Sequence, residues 1–282
     1  MKQCKALLKK EWQTHWKSLM APLLFVILIY VTVLVSYLIV LIKRSDPAPH
    51  PMLVLQGIGL QAPYWVTMSV TIALAFLHAM SGIVLAESML NSDHKQRCQI
   101  FHFSQPASFL KIVGVKYLFS NFGPILLFGV VSLVHALVLS LWSGLYSIPS
   151  FALGMTGWLQ SFISASLSIL FLSSLAWFFS GLFKRKSILL GFLCLLGIEI
   201  VRQTINYMVG WQIPSLMEGL SMMVDLNVSS FLLTGKYTSS SLASLVRANW
   251  RDIFSTTSAL KIGLSAVLGI LGAVLYKRRE LQ

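Results

Sequence analysis

Glu199 and Arg202 are the side chains whose types and spacing could most readily do chemistry inside an apolar stretch of this 282-residue chain. Three residues apart on a helix, they share a face and can pair. Ionisable groups at membrane depth are costly and often mark a substrate or ion path. The pair is therefore a candidate path element. A structural reading competes with it: Arg202 lies near the end of its apolar run, where its head can reach the surface with Glu199 as local partner. His78 and His135 stand alone in two other apolar runs, placed for interior hydrogen bonds or for proton relay.

Tests for enzyme chemistry fail. There is no His-Glu-x-x-His helix, no Gly-x-Ser-x-Gly elbow and no carboxylate cluster, so no catalytic residue, metal or cofactor is expected in this chain. Cys4, Cys98 and Cys194 form an odd, scattered set without redox or metal spacing. Gly235-Lys236 looks like the end of a phosphate loop, but Ser230 stands where that loop needs Gly, and Tyr237 where it needs Ser or Thr. Asn227-Val-Ser229 fits a glycosylation acceptor, which has meaning only in a secretory eukaryote. If ATP drives this protein, a separate chain hydrolyses it.

A second polar stretch, Glu87 to Lys116, interrupts two long apolar segments. It is expected to lie in water on one side of a membrane while its flanks are immersed. In its middle, Gln99, Ile100, Phe101, His102 and Phe103 set three large apolar side chains among polar ones. Such a patch suits a short helix seated in a groove of another protein. A plain connection lying on the lipid surface is the alternative.

The elements around these residues follow from composition. Hydrophobic residues make up 56% and charged residues 11%, with a mean hydropathy of +0.76, a balance that belongs to an integral membrane protein. The net charge of +13 sits mainly beside apolar runs. Anionic lipid and orientation account for it without nucleic acid. Windows of about 20 residues, the length that crosses about 30 Å of hydrocarbon, predict six spans: 22–42, 64–86, 115–142, 151–183, 187–209 and 259–276. The first run is too long for a signal-peptide core and is expected to remain as a span. Ahead of it, residues 1–20 predict an interfacial amphipathic helix, with Cys4, Leu7, Leu8, Trp12, Trp16 and Leu19 on one stripe and most of the lysines off it.

With both termini cytoplasmic, fifteen Lys and Arg fall inside and seven outside, Lys261 being counted among the outer ones. Segment 87–114 is then cytoplasmic and 210–258 extracellular. In the outer segment Pro214 is placed to open a helix carrying Leu216, Leu220 and Met223. A second stripe, Leu242, Leu245, Val246, Trp250, Ile253 and Phe254, is opposed by Ser244, Arg247 and Arg251. In the fourth span Gly157, Ser161, Ser164 and Ser168 share a face beside Ala165. That face permits close helix approach, within one bundle or between two copies.

The order of residues in the central stretch resembles the coupling segment of bacterial ABC-2 type transporter permeases. The positions that carry the resemblance are the acid Glu87, then Ser104, Pro106, Ser108 and Lys116. The family's Gly-Thr ahead of the apolar run is replaced by Arg97-Cys98. The interfacial helix, outer helices and basic end Lys277-Arg-Arg279 follow the same plan over nearly the full length. The resemblance implies a single all-α domain of six membrane helices, residues 1–282, in a bacterial cell membrane. It implies an export permease paired with an identical or paralogous second permease. Two copies of an ATP-binding ABC subunit, holding ATP and Mg, would dock at Gln99 to Phe103. An ion-gradient-driven secondary transporter and a non-transporting membrane sensor are the alternatives.

Overall fold

The computed structural model describes residues 2–43, 62–95, 108–144, 148–224 and 239–280. They form α1 (Lys2–Lys43), α2 (Ala62–Lys95), α3 (Phe109–Gly144), α4 (Ile148–Leu182), α5 (Ser187–Val209), α6 (Leu216–Val224), α7 (Ser239–Ile253) and α8 (Thr256–Glu280). No strand occurs among the described residues. Six helical stretches are long and apolar enough to cross a membrane: five within α1 to α5, and a sixth, Leu242–Arg278, that takes in most of α7 and α8.

The six helices form a bundle with α4 at its centre, packed against α2, α3, α5 and α8. Helices as apolar as these on every side do not select neighbours by hydrophobicity, so close packing and interhelical hydrogen bonds must do it. One end of the bundle gathers the start of α1, the end of α2, the starts of α3 and α5, and the end of α8. It carries Lys5, Lys9, Lys10, Lys111, Lys184 to Lys186, Lys277 and Arg278, and is called the basic end below. Leu85, Met89, Leu90, Phe119, Trp177 and Tyr276 fill the core there. Toward the opposite end, Val26, Leu74, Phe128 and Ile169 fill a second core.

Two expected boundaries are corrected. The interfacial helix 1–20 and the span 22–42 are one helix, because Pro22 lies inside α1 without ending it. A proline removes one donor and bends a helix, and it needs help from other breakers to stop one. The face of α1 that packs inward is Leu7, Glu11, His15, Leu19 and Val26, while Trp12 and Trp16 are 46% exposed. The second correction concerns segment 87–114. Residues Glu87 to Lys95 continue α2 and Phe109 to Gly114 open α3, with Met89 and Leu90 fully buried. Hydropathy marks where a helix leaves hydrocarbon, and the helix itself runs on until something breaks it.

The small-residue face of α4 packs inside this bundle. A Cβ at Gly157 would stand 2.7 Å from the carbonyl oxygen of Tyr64 on α2, and Ala165 is buried in the second core. Nearer the basic end, a Cβ at Gly181 would meet the Gly272 carbonyl oxygen at 2.5 Å, and one at Gly272 would meet Trp177 at 2.6 Å. This crossing of α4 and α8 tolerates no side chain. Gly272→Leu is expected to destabilise the fold by about 1 to 3 kcal/mol through overpacking, seen as a lower Tm in detergent. Gly263→Ala, with nothing within 4 Å of its Cβ, should instead raise stability by up to about 1 kcal/mol through helix propensity.

Candidate functional site

Glu87 lies on α2 about two turns before its end. There its Oε1 accepts hydrogen bonds from the Ser187 backbone N–H (3.1 Å) and from the Ser187 hydroxyl (2.8 Å). Ser187 is the first residue of α5, where helix N–H groups lack partners and the macrodipole is positive. Lys186 ahead of it has φ 50° and ψ 39°, the one left-handed non-glycine among the described residues, and offers no side-chain cap. The reversal from α4 into α5 thus takes its cap from a third helix. Asn91, one turn beyond Glu87, donates to the Ser187 hydroxyl at 3.4 Å.

Lys116 on α3 holds a different neighbour. It is 1% exposed, its Nζ donates to the Met89 carbonyl at 2.8 Å, and it stands 4.0 Å from Glu11 Oε1 on α1. The other Glu11 oxygen lies 3.7 Å from His15 Nε2, and His15 Nδ1 is 3.4 Å from the Ser88 hydroxyl on α2. Glu87 therefore ties α2 to α5, and Lys116 ties α2 and α3 to α1. Ser108 is exposed and precedes α3, where its carbonyl accepts from the N–H groups of Lys111 and Ile112. Gln99, Ile100, Phe101, His102, Phe103, Ser104 and Pro106 lie outside the described residues.

Glu11, His15 and Ser187 also belong to this cluster, beyond the residues to which the sequence points. A lone acid in a lysine-rich helix, with His one turn later, was the available signal for the first two. Ser187 carried no signal, because its role comes from Glu87, 100 residues away.

Glu199 and Arg202 do pair, and they do so as a clamp. Arg202 Nε and Nη2 donate to Glu199 Oε1 at 3.0 and 2.6 Å, while Nη1 donates to the Ile213 carbonyl at 2.8 Å. Glu199 also accepts from the Ser215 hydroxyl (2.9 Å) and the Leu216 N–H (3.1 Å), and Asn206 exchanges two bonds with Ile213. One face of α5 thus fixes the turn into α6. Ser215 accepts from the Glu218 N–H at 3.2 Å, as in a capping box, so Pro214 stands just before the cap rather than opening the helix.

At the same end, α7 rests on α2 and α4 through a closed set of bonds. Tyr64 donates to Gln160 (2.7 Å), Gln160 to the Val246 carbonyl (2.9 Å) and Asn249 to Tyr64 (2.8 Å). Leu242 and Ile253 of α7 are buried, and Phe254 is 80% exposed instead of joining the expected stripe. Lys261, counted with the outer charges, lies buried in α8 and donates to Ser168 at 3.0 Å. His78 Nδ1 donates to the Leu74 carbonyl, and His135 pairs with the Tyr30 hydroxyl. Among the described residues no three His, Cys, Asp or Glu side chains converge as a metal would need.

No family model, curated protein or solved structure matches the chain.

The Glu11–Lys116 contact has a testable energetic signature. Lys116→Met should destabilise by about 3 kcal/mol, because it leaves Glu11 buried opposite an apolar group. Adding Glu11→Gln should recover most of that loss, so that a double-mutant cycle of Tm values in detergent gives a large coupling.

Proposed function

We propose that this chain is the membrane-spanning permease subunit of an ATP-driven exporter of the ABC-2 type. It works as a pair of identical or paralogous permeases joined to two ATP-binding subunits that carry ATP and Mg. The observation that carries this reading is the placement of Glu87 and Lys116. They flank residues 96–107, and their bonds link α2 and α3 to α5 and α1 respectively. A push delivered to Gln99 to Phe103 enters α2 and α3 directly, since the segment joins them. It passes to α5 through Ser187 and to α1 through Glu11. Coupling of this kind needs two packed states that the nucleotide cycle biases.

The charge distribution supports an inside location for the basic end, and with it cytoplasmic termini and a cell-membrane setting in contact with anionic lipid. The gradient-driven rival has less support. It needs an acid free to bind an ion at depth, and Glu199 spends its oxygens on Arg202, Ser215 and Leu216.

Two measurements test the proposal. Single cysteines placed at Gln99 and His102 should react with a membrane-impermeant maleimide only after the cytoplasmic face is opened; reaction from outside in intact cells would reverse the orientation and remove the docking site. Phe101→Asp should abolish co-purification of the partner ATPase and cut its coupled turnover by about tenfold or more, as loss of a buried aromatic anchor of ~2 kcal/mol implies. An unchanged complex with unchanged turnover would remove the docking role.

A further inference from the structure

Beside Arg202 lies an open-sided cavity of about 550 Å³, within the range of sites that hold small ligands. Its walls are Phe171 of α4, Ile198 and Val201 of α5, Leu220 and Met223 of α6, and Leu264 of α8. The polar side chains that line it are Arg202 and Ser215, both where α5 meets the start of α6. The cavity thus grades from an apolar floor to a polar rim. Its roof, α6, is tethered at its start, where the Leu216 N–H donates to Glu199 and where Arg202 and Asn206 hold the Ile213 carbonyl in the turn before it, so the space is preformed. Water is a poor tenant, since a buried water needs two to four polar partners and the floor offers none.

We propose that this cavity binds one acyl chain of a bilayer phospholipid, with the lipid's ester or phosphate oxygens at the Arg202 rim. With α5 and α8 in the bilayer, the proposal sets the open side toward hydrocarbon and the rim, at the end away from the basic cluster, at headgroup level. Arg202 has five N–H donors, of which three are engaged by Glu199 and Ile213. Among the described residues the other two meet no acceptor, which leaves them for a ligand's oxygens. Glu199 neutralises the guanidinium charge, so the rim selects acceptors and not net headgroup charge. The inference needs the helices to span a membrane and is independent of the coupling role at the other end.

The test uses the full-length chain in vesicles of phosphatidylcholine, and separately of phosphatidylglycerol, each with a trace of the same phospholipid carrying a photoactivatable diazirine in its acyl chain. Labelling mapped by peptide mass spectrometry should concentrate on the Ile198–Val201 and Leu220–Met223 stretches, to similar extents in both vesicles. Gly219 lines the cavity and a Cβ there meets nothing within 4 Å, so Gly219→Trp fills the space without a backbone clash. It should cut labelling of those stretches about tenfold while labelling at Phe192 and Leu193, exposed elsewhere on α5, stays unchanged. Gly219→Ala should label as the parent does, and an unchanged Tm shows the Trp variant to be folded. Even labelling along α5, undiminished labelling in the Trp variant, or a several-fold preference for one headgroup would overturn the proposal. So would a shift in oligomeric mass on filling the cavity, which would make a second copy the occupant. None of these outcomes touches the docking of an ATPase.

Discussion

The structure depends on one carboxylate serving a helix other than its own. Glu87 offers an oxygen to both the N–H and the hydroxyl of Ser187, and so completes the start of α5 from α2. Away from water an unfilled helix N-terminus costs several kcal/mol per bare N–H. The reversal at Lys186, already held in a left-handed conformation, lacks any local alternative. The position of α5 is therefore conditional on where the end of α2 lies.

The same rule recurs through the bundle: polar side chains appear where two helices need a reason to be neighbours. Tyr117 donates to the Ser265 carbonyl on α8 and meets the Ser174 hydroxyl on α4, while Ser173 and Ser174 reach Asn121. Gln160 joins α2, α4 and α7. All of these bonds but the one from Tyr117 to Ser265 involve α4, which makes it the spine against which the others are registered. Glycine contacts at Gly157 and Gly181 then set how near the neighbours come. Packing supplies proximity, and the hydrogen bonds supply identity.

Much of this was legible in the chain. The fifth helix has the ends that the sequence predicts, Ser187 to Val209, because a Lys-Arg-Lys run and a glycine bound it. The second runs past the predicted end at Ala86, since polar residues from Glu87 onward signal water to a hydropathy window although the helix continues to Lys95. The amphipathic stripe of α7 was visible because its moment is local. The inward face of α1 was not, because Trp12 and Trp16 outrank Glu11 and His15 on any apolar scale while the partner that draws Glu11 inward, Lys116, is 105 residues downstream. Glu199 and Arg202 could be paired by spacing, but the tether they make to Ile213 and Ser215 depends on a turn that no periodicity encodes.

The unbroken course of α1 has a mechanical side. At 42 residues it is about 63 Å long, roughly twice the thickness of the hydrocarbon layer. Pro22 sits near its midpoint, where the missing N–H makes the rod softest. Such a rod can hinge there: a swing of about 10° at that point carries Lys2 sideways by roughly 5 Å, so a small rearrangement around Glu11, nearer the hinge on the same arm, becomes a larger sweep at Lys2.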